Sequence, residues 1–405
     1  MNILYLCHRF PFPPKRGGKI RPFNMIRHLT EVGHQVTVCS LARSTGEAQD
    51  GAGIAPYCQG YEIGRVNAGV QVLRMLARLP TATPSSMGFF YSSALRRQVQ
   101  GLLDSCAWDL IMVHCSSAAQ YVAHVHNVPK LLDFGDMDSQ KWMDYARFKP
   151  FPQSLGYWLE GSKLLACEKR LAQCFDLCTT TTLGEWQTLQ GYGLQGDTDW
   201  FPNGVDCDYF CPSDAAYDPD TISFMGRMDY YPNQECMQRF CQQVWPLLKA
   251  QRPTLKLRIV GADPSPAIRR LGTLEGVLVT GSVDDVRPHV RASALMVAPL
   301  QIAHGTQNKI LEAMAMGVPV LTSSVAARGV DARANEHFLV ADSPQAQLRA
   351  ILDVIHHPRE RRRLAQAGRR RMQSSHAWAR SMQRLDGIIE RSLRNFHTPR
   401  QERAA

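Results

Sequence analysis

The sequence predicts an α/β protein made of two doubly wound, Rossmann-like domains, and three observations carry the prediction. The chain has 405 residues, more than one hydrophobic core usually supports. Residues 2–42 read as strand, glycine-containing loop, helix and strand, the opening unit of a doubly wound sheet. The same pattern restarts at residues 222–226 and again at 295–321, with short apolar runs that suit buried parallel strands.

In the first half, residues 2–7 form an apolar strand and a Pro-rich loop follows, ending in Gly17 and Gly18. Paired glycines let a backbone approach a ligand closely, and a plain turn is the equal alternative. A helix through Phe23, Ile26 and Leu29 stops at Gly33, and residues 34–42 give the next strand. The segment has no G-x-G-x-x-G, so a dinucleotide fingerprint is absent. Further strands are expected at 110–114 and 130–134, followed by Asp136 and Asp138, where Asp138 or Ser139 can cap a helix starting near Lys141. Residues 70–97 and 141–169 are basic, aromatic and poorly periodic; they suit either an amphipathic membrane-facing rim or ordinary helix packing.

Residues 211–220 are polar and turn-rich, which places a linker there and divides the chain into domains at 1–211 and 212–375, with a helical, basic tail at 376–405. The second domain opens with a strand at 222–225, a glycine turn at Gly226 and then Arg227. A strand and turn at Gly261 follow, and then VLVTGSVDDV with Gly281, Ser282 and Val283. In LMVAPLQIAHGTQNKILEAMAMGVPVL (295–321), a buried strand leads through His304 and Gly305 to a helix with Thr306 as N-cap and Gly317 as C′ stop. Lys309 and Glu312 share one face of its first turns, where free N–H groups favour anions. That geometry suits a diphosphate beside a hydroxyl-binding carboxylate, or else a solvated i, i+3 ion pair.

Composition narrows the function. The net charge is +10, yet residues 359–405 hold 13 basic and 4 acidic residues, so the excess belongs to the tail. Arg361, Arg362, Arg363, Arg369, Arg370 and Arg371 lie among few aromatics, which suits an anionic membrane surface or a solvated helix face better than nucleic acid. Twelve scattered cysteines without a CxxC pair indicate a reduced, cytosolic protein rather than a zinc or redox site. No run approaches eighteen apolar residues, and the start MNILYLCHRF has too short an apolar stretch for a signal peptide.

The segment 295–321 resembles the signature of family 4 glycosyltransferases, retaining enzymes of the GT-B fold, in which a Glu-Gly loop leads to a second Glu in "EAMA.G.PV". The second Glu is Glu312 here, and His304 replaces the first. The resemblance implies two Rossmann-like domains facing across a cleft, with a C-terminal helix crossing back to the first. It also implies that Glu312 contacts the nucleotide ribose, that His304, Gly305 and Thr306 lie at the donor, and that Gly17 and Gly18 face its phosphates. FPNGVD (201–206) is similar to the family's hinge-proximal loop and brings in Asn203; with Asp136 and Asp138 it makes the acceptor-side candidates. Gly226 and Arg227 resemble a G-R pair followed five residues later by Lys, but that position is Pro232, which makes Lys309 the candidate for the missing cation. Gly281, Ser282 and Val283 stand where relatives hold the base through the backbone. MDYYPN and GTQNKILEAMAMG resemble a subgroup associated with bacterial exopolysaccharide and exosortase systems.

The resemblance therefore implies a retaining transfer from a nucleotide sugar to a saccharide or polyprenyl-linked acceptor, with Arg227, Lys309 and Glu312 as the catalytic set. No metal and no cofactor are expected. The expected location is cytoplasmic, peripheral at the inner face of the plasma membrane. A nucleotide-sugar epimerase of GT-B fold and a non-catalytic nucleotide-sugar-binding protein remain open alternatives.

Overall fold

A computed structural model describes residues 1–14, 17–194 and 196–397. The chain divides into two compact units, Met1–Phe201 with Met382–Ala405, and Pro202–Ser381. The division falls before the polar linker expected at 211–220, because residues 202–210 are tied into the second unit. Val205 donates its N–H to the His376 carbonyl at 2.7 Å, and a Cβ at Gly204 would sit 2.4 Å from the Trp378 ring.

The first unit contains a seven-stranded, fully parallel sheet in the order β3-β2-β1-β4-β5-β6-β7. Its strands are β1 (Asn2–Cys7), β2 (Gln35–Ala42), β3 (Gly60–Arg65), β4 (Leu110–His114), β5 (Lys130–Gly135), β6 (Leu177–Thr180) and β7 (Asp197–Trp200). The central strands β1 and β4 are buried almost throughout, as expected for strands covered on both faces. Helices used below are α1 (Gly17–Glu31), α2 (Ala68–Ala77), α3 (Asp138–Phe148) and α4 (Gln153–Cys174). Gly17 and Gly18 form the first turn of α1 rather than the end of a loop, and a Cβ on either would meet nothing within 4 Å.

The second unit has a six-stranded parallel sheet, β10-β9-β8-β11-β12-β13. Its strands are β8 (Asp218–Met225), β9 (Lys256–Val260), β10 (Val277–Gly281), β11 (Ser293–Ala298), β12 (Val320–Thr322) and β13 (Leu339–Val340). Its helices include α5 (Tyr231–Gln243), α6 (Asn308–Ala315), α7 (Pro358–Arg371) and α8 (Trp378–His397). Both sheets reverse their order between their first and fourth strands, the point at which open α/β sheets bind ligands at the carboxyl ends.

The helical tail expected from residue 376 begins after a break in the helix. A π turn at Met372–His376 and an extended Ala377 separate α7 from α8, because His376 is buried with its Nδ1 at the Asn203 carbonyl. From Met382 onward α8 belongs to the first unit, where it buries Met382, Leu385, Ile388 and Ile389 and its Asp386 meets His28 at 2.8 Å. Four of the seven arginines of α7 are engaged by their own unit. Arg361 donates to the Ala294 and Ser293 carbonyls, Arg363 pairs with Glu360, Arg369 donates to the Ala315 carbonyl, and Arg371 pairs with Asp331. Among the described residues no helix is long and apolar enough to cross a membrane.

The first unit is pinned by a buried ion pair. Arg21 Nε and Nη2 donate to Asp133 at 2.8 and 3.0 Å, and Thr179 Oγ1 and His114 add hydrogen bonds at 3.0 and 2.7 Å. The Arg21 guanidinium also lies 3.6 Å over the Phe201 ring. Asp133→Ala leaves Arg21 buried without its counter-charge and is expected to cost about 3–5 kcal/mol in urea unfolding. The double variant Arg21→Met/Asp133→Leu should recover most of that loss. Equal stability of the single variant and wild type would contradict this role.

Candidate active site

The second unit's strand ends come together at a crossing of two glycines. A Cβ on Gly261 would lie 1.7 Å from the Gly226 carbonyl oxygen, and a Cβ on Gly226 would lie 2.7 Å from Asn233 Nδ2. Both positions have positive φ, at 153° and 155°, so glycine is demanded by space and by backbone conformation. The turn that follows is fixed by Met228 N–H donating to the Ala262 carbonyl at 2.8 Å.

Lys309 enters this site from the first turn of α6. Its ammonium donates to Asn233 Oδ1 and lies 5.1 Å over the Phe224 ring, while Asn233 Nδ2 donates to the Arg227 carbonyl at 2.7 Å. One buried amide therefore holds both the glycine turn and the cation. Asn233 escaped the sequence reading because nothing in MDYYPN links it to a lysine 76 positions away. The Lys309–Glu312 ion pair considered from spacing does not form: Lys309 turns to Asn233, and among the described residues no hydrogen bond or ion pair reaches the Glu312 side chain. Burial lowers the Lys309 pKa to about 8 despite Cys236 and Glu312, and burial raises the Glu312 carboxyl to about 7 despite Lys309. Burial without an opposite charge in contact thus brings both groups toward neutrality, a combination that marks a candidate binding site.

Gln307, not Thr306, is the N-cap of α6, and no side chain caps the helix. Thr306 Oγ1 is buried without a hydrogen-bond partner. Gly305 has a φ of 58° and approaches Gly329 so closely that a Cβ there would sit 2.2 Å from its carbonyl oxygen. Gln307 Nε2 donates to the His304 carbonyl at 3.1 Å and closes the loop between β11 and α6. Asn203, expected on the acceptor side, is placed in the second unit, with its amide donating to Asn308 at the start of α6.

Arg227 is committed elsewhere. Its guanidinium donates to Asp229 at 2.7–3.0 Å and to Asp263 at 2.6 Å, and these carboxylates raise its pKa further. Beside it lies an open groove of about 530 Å³ lined by Asp229, Asp263, Ser265, Arg269 and Ser282. Ser282 reaches the groove from the end of β10, next to Gly281 with φ 70°, whereas Val283 packs against the core.

The first unit presents a second cluster at its own strand ends. His114, at the end of β4, is oriented by Asp133, and its ring lies 6.0 Å from that of His8. Burial opposes ionisation of Asp133, but Arg21 and His114 outweigh it and hold the carboxyl well below its ordinary range. Cys115 follows with a φ of 80°, unusual for a residue with a side chain. Asp136 accepts from Thr181 at 3.0 Å; Asp138 accepts from Cys115 Sγ at 3.8 Å, and burial raises its pKa. Neither Asp138 nor Ser139 caps α3; the carboxylates of Glu185 and Glu168 accept the N–H groups of Met137 and Ser139 at 2.8 and 2.9 Å. In the second unit, Asp206 forms an Asx turn, accepting from Asp208 and Tyr209 N–H groups at 3.1 and 2.9 Å. Sequence reasoning passed over His8 and His114; their position at the ends of β1 and β4, beside the reversal in strand order, was the available signal.

Residues 219–357 match a family model described as glycosyl transferases group 1. The matched segment lies within the second unit. The chain is similar to the solved structure of sucrose-phosphate synthase from Thermosynechococcus elongatus, at 17% identity over 96% of this chain and 98% of that one, with a TM-score of 0.70. It is similar to HepE of Anabaena in complex with UDP, at 16% identity, 96% and 100% coverage and a TM-score of 0.69. It also resembles a TarM variant of S. aureus in complex with fondaparinux, alpha-GlcNAc-glycerol and UDP, at 9% identity, 98% and 100% coverage and a TM-score of 0.66. No curated protein sequence matches. Identities this low show a shared fold, that of two parallel-sheet, Rossmann-like domains of GT-B type. The matched segment and the fold together support a glycosyltransferase.

The titration of Glu312 makes a test of its environment. Its folded pKa of about 7 lies above the unfolded value, so the folded chain binds the extra proton; this contribution to stability is full below about pH 4.5 and is lost as pH rises through 7. Glu312→Gln is therefore expected to melt higher than wild type at pH 8 by the equivalent of about 1 kcal/mol or more, and equally near pH 4.5. A melting difference that does not change with pH would place Glu312 in solvent.

Proposed function

We propose that the protein transfers a sugar from a nucleoside-diphosphate sugar to a hydroxyl of a saccharide or lipid-linked saccharide. The observation that carries the reading is the Lys309 ammonium, held by Asn233 at the open N-terminus of α6 within the matched segment. Charge grows on the diphosphate as the glycosidic bond breaks, and a cation already fixed where that charge appears needs no reorganisation to meet it. The α6 N–H groups add to the field, and Glu312, on the same helix face, is the acceptor for the ribose hydroxyls.

Lys309 is the principal counter-charge in this reading, with Arg227 secondary because two carboxylates already neutralise it. Ser282 and the groove beside it are the place for the base. His304 and Gly305, in the loop before α6, remain with the donor sugar. Transfer is read as retaining and same-face: the acceptor hydroxyl passes its proton to the departing diphosphate oxygen as its own oxygen bonds to the sugar, so no carboxylate nucleophile is required. The acceptor reading stays with the first unit, where Asp136 and Asp138 follow β5, and exopolysaccharide assembly is the setting implied by the motif resemblance.

Addition of UDP at a hundredfold excess over its Kd is expected to stabilise the protein by about 2.7 kcal/mol, a melting shift of several degrees. Lys309→Ala should abolish the shift and lower turnover of the cognate donor about 10²-fold or more, and Arg227→Ala should cost less. No response to any nucleoside diphosphate, or wild-type kinetics for Lys309→Ala, would refute the assignment. An isomerised donor formed without acceptor would favour the epimerase. Activity is also expected to persist in excess chelator, because Lys309 supplies the charge; complete loss restored by magnesium or manganese would contradict that.

A further inference from the structure

Helix α2 has its polarity inverted. Its polar side chains face the protein: Gln71 and Arg74 both donate to the Tyr91 carbonyl, at 3.1 and 2.8 Å, and Gly88 packs against the Arg74 carbonyl. Its apolar side chains face outward, with Leu73 67% exposed and Val72, Leu76 and the following Leu79 close to half exposed. A helix normally buries its apolar stripe, so water is not the expected environment of this face.

The N-terminal half of α4 continues the exposed surface. Phe151, in the turn before α4, is 80% exposed and Trp158 is 51% exposed, with Leu155 and Leu159 on the same outward face. Lys163, one turn beyond Leu159, donates to the Arg78 and Leu79 carbonyls at 3.2 and 2.6 Å and so joins the end of α2 to the middle of α4. The two apolar faces are neighbours in one rigid unit.

We propose that the face formed by α2, the turn at Phe151 and the start of α4 docks on an anionic lipid bilayer. Charge decides between occupants. Residues 63–103 contain five arginines, of which Arg74 is turned inward, and no Asp or Glu; residues 144–159 contain Arg147, Lys149 and one acid, Asp144, which pairs with Arg147 at 2.9 Å, so the segments that carry the face are net positive. A second copy of the chain on this face would bring like charges together, whereas acidic headgroups complement them. Leucines that enter the acyl boundary, with aromatic and basic side chains at its edge, are the composition of a helix lying in a membrane interface. This inference stands apart from the donor site and does not need it.

The test is cosedimentation of the full chain with phosphatidylcholine vesicles prepared with and without phosphatidylglycerol. Binding is expected only with phosphatidylglycerol and should weaken as salt rises. Leu73→Asp/Leu76→Asp and Phe151→Ser/Trp158→Ser should each weaken binding by about tenfold or more while retaining the wild-type melting transition, since these side chains support no core. Arg147→Glu/Lys149→Glu, which leaves the apolar face intact, should also weaken binding and provides a second variant if an apolar change unfolds the chain. Equal binding to both vesicle types, wild-type binding by all three variants, or a dimer that the apolar variants dissociate would each overturn the proposal.

Discussion

A partly buried ammonium held by a single amide is the constraint on which the second unit's site depends. Asn233 can hold Lys309 only while its other amide atom holds the Arg227 carbonyl, and that requires Gly226 to lack a Cβ. Gly226 in turn crosses Gly261 within contact distance, so the ends of β8 and β9, the start of α5 and the first turn of α6 are fixed together. Displacing one of them would disturb the others. Geometry of this kind holds a cation in advance of the ligand that needs it.

The two units use buried charge in opposite ways. Asp133 receives hydrogen bonds from Arg21, His114 and Thr179, so its charge is fully answered and the network serves stability. Lys309 and Glu312 are left short of partners, and burial pushes the lysine down and the glutamate up. A chain spends stability on such groups where they bind something, the familiar opposition between fold and site.

Most of the sheets could be read from the sequence because their central strands are short apolar runs, as at β1, β4 and β11. The strands that escaped have no such signal. β7 reads DTDW and is held by Arg391 and Asn395 of α8, contacts that no local pattern records. β3 is only half-buried, and β13 has two residues. The stop of α6 at Gly317 was legible from glycine chemistry, with φ 68°, but its start was not: Thr306 looks like a cap, yet the chain enters the helix one residue later. Lys309 and Glu312 could be named from spacing, whereas Asn233, His114 and the binding of four α7 arginines to their own unit depend on tertiary placement. The resemblance rested on motifs of the second unit, chief among them the continuous segment 295–321, and said less about the first half, where the residues brought together come from separate strand ends.

The central claim is that a lysine with a pKa near 8 meets the donor diphosphate, and calorimetric titration with UDP across pH 7 to 10 tests it most directly. The diphosphate should keep Lys309 charged in the complex, so affinity should fall about tenfold per pH unit above 8, with about one proton taken up on binding. Lys309→Arg, whose charge persists, should flatten that decline. An affinity that stays constant through this range in the wild type, with no proton uptake, would show that Lys309 does not face the diphosphate.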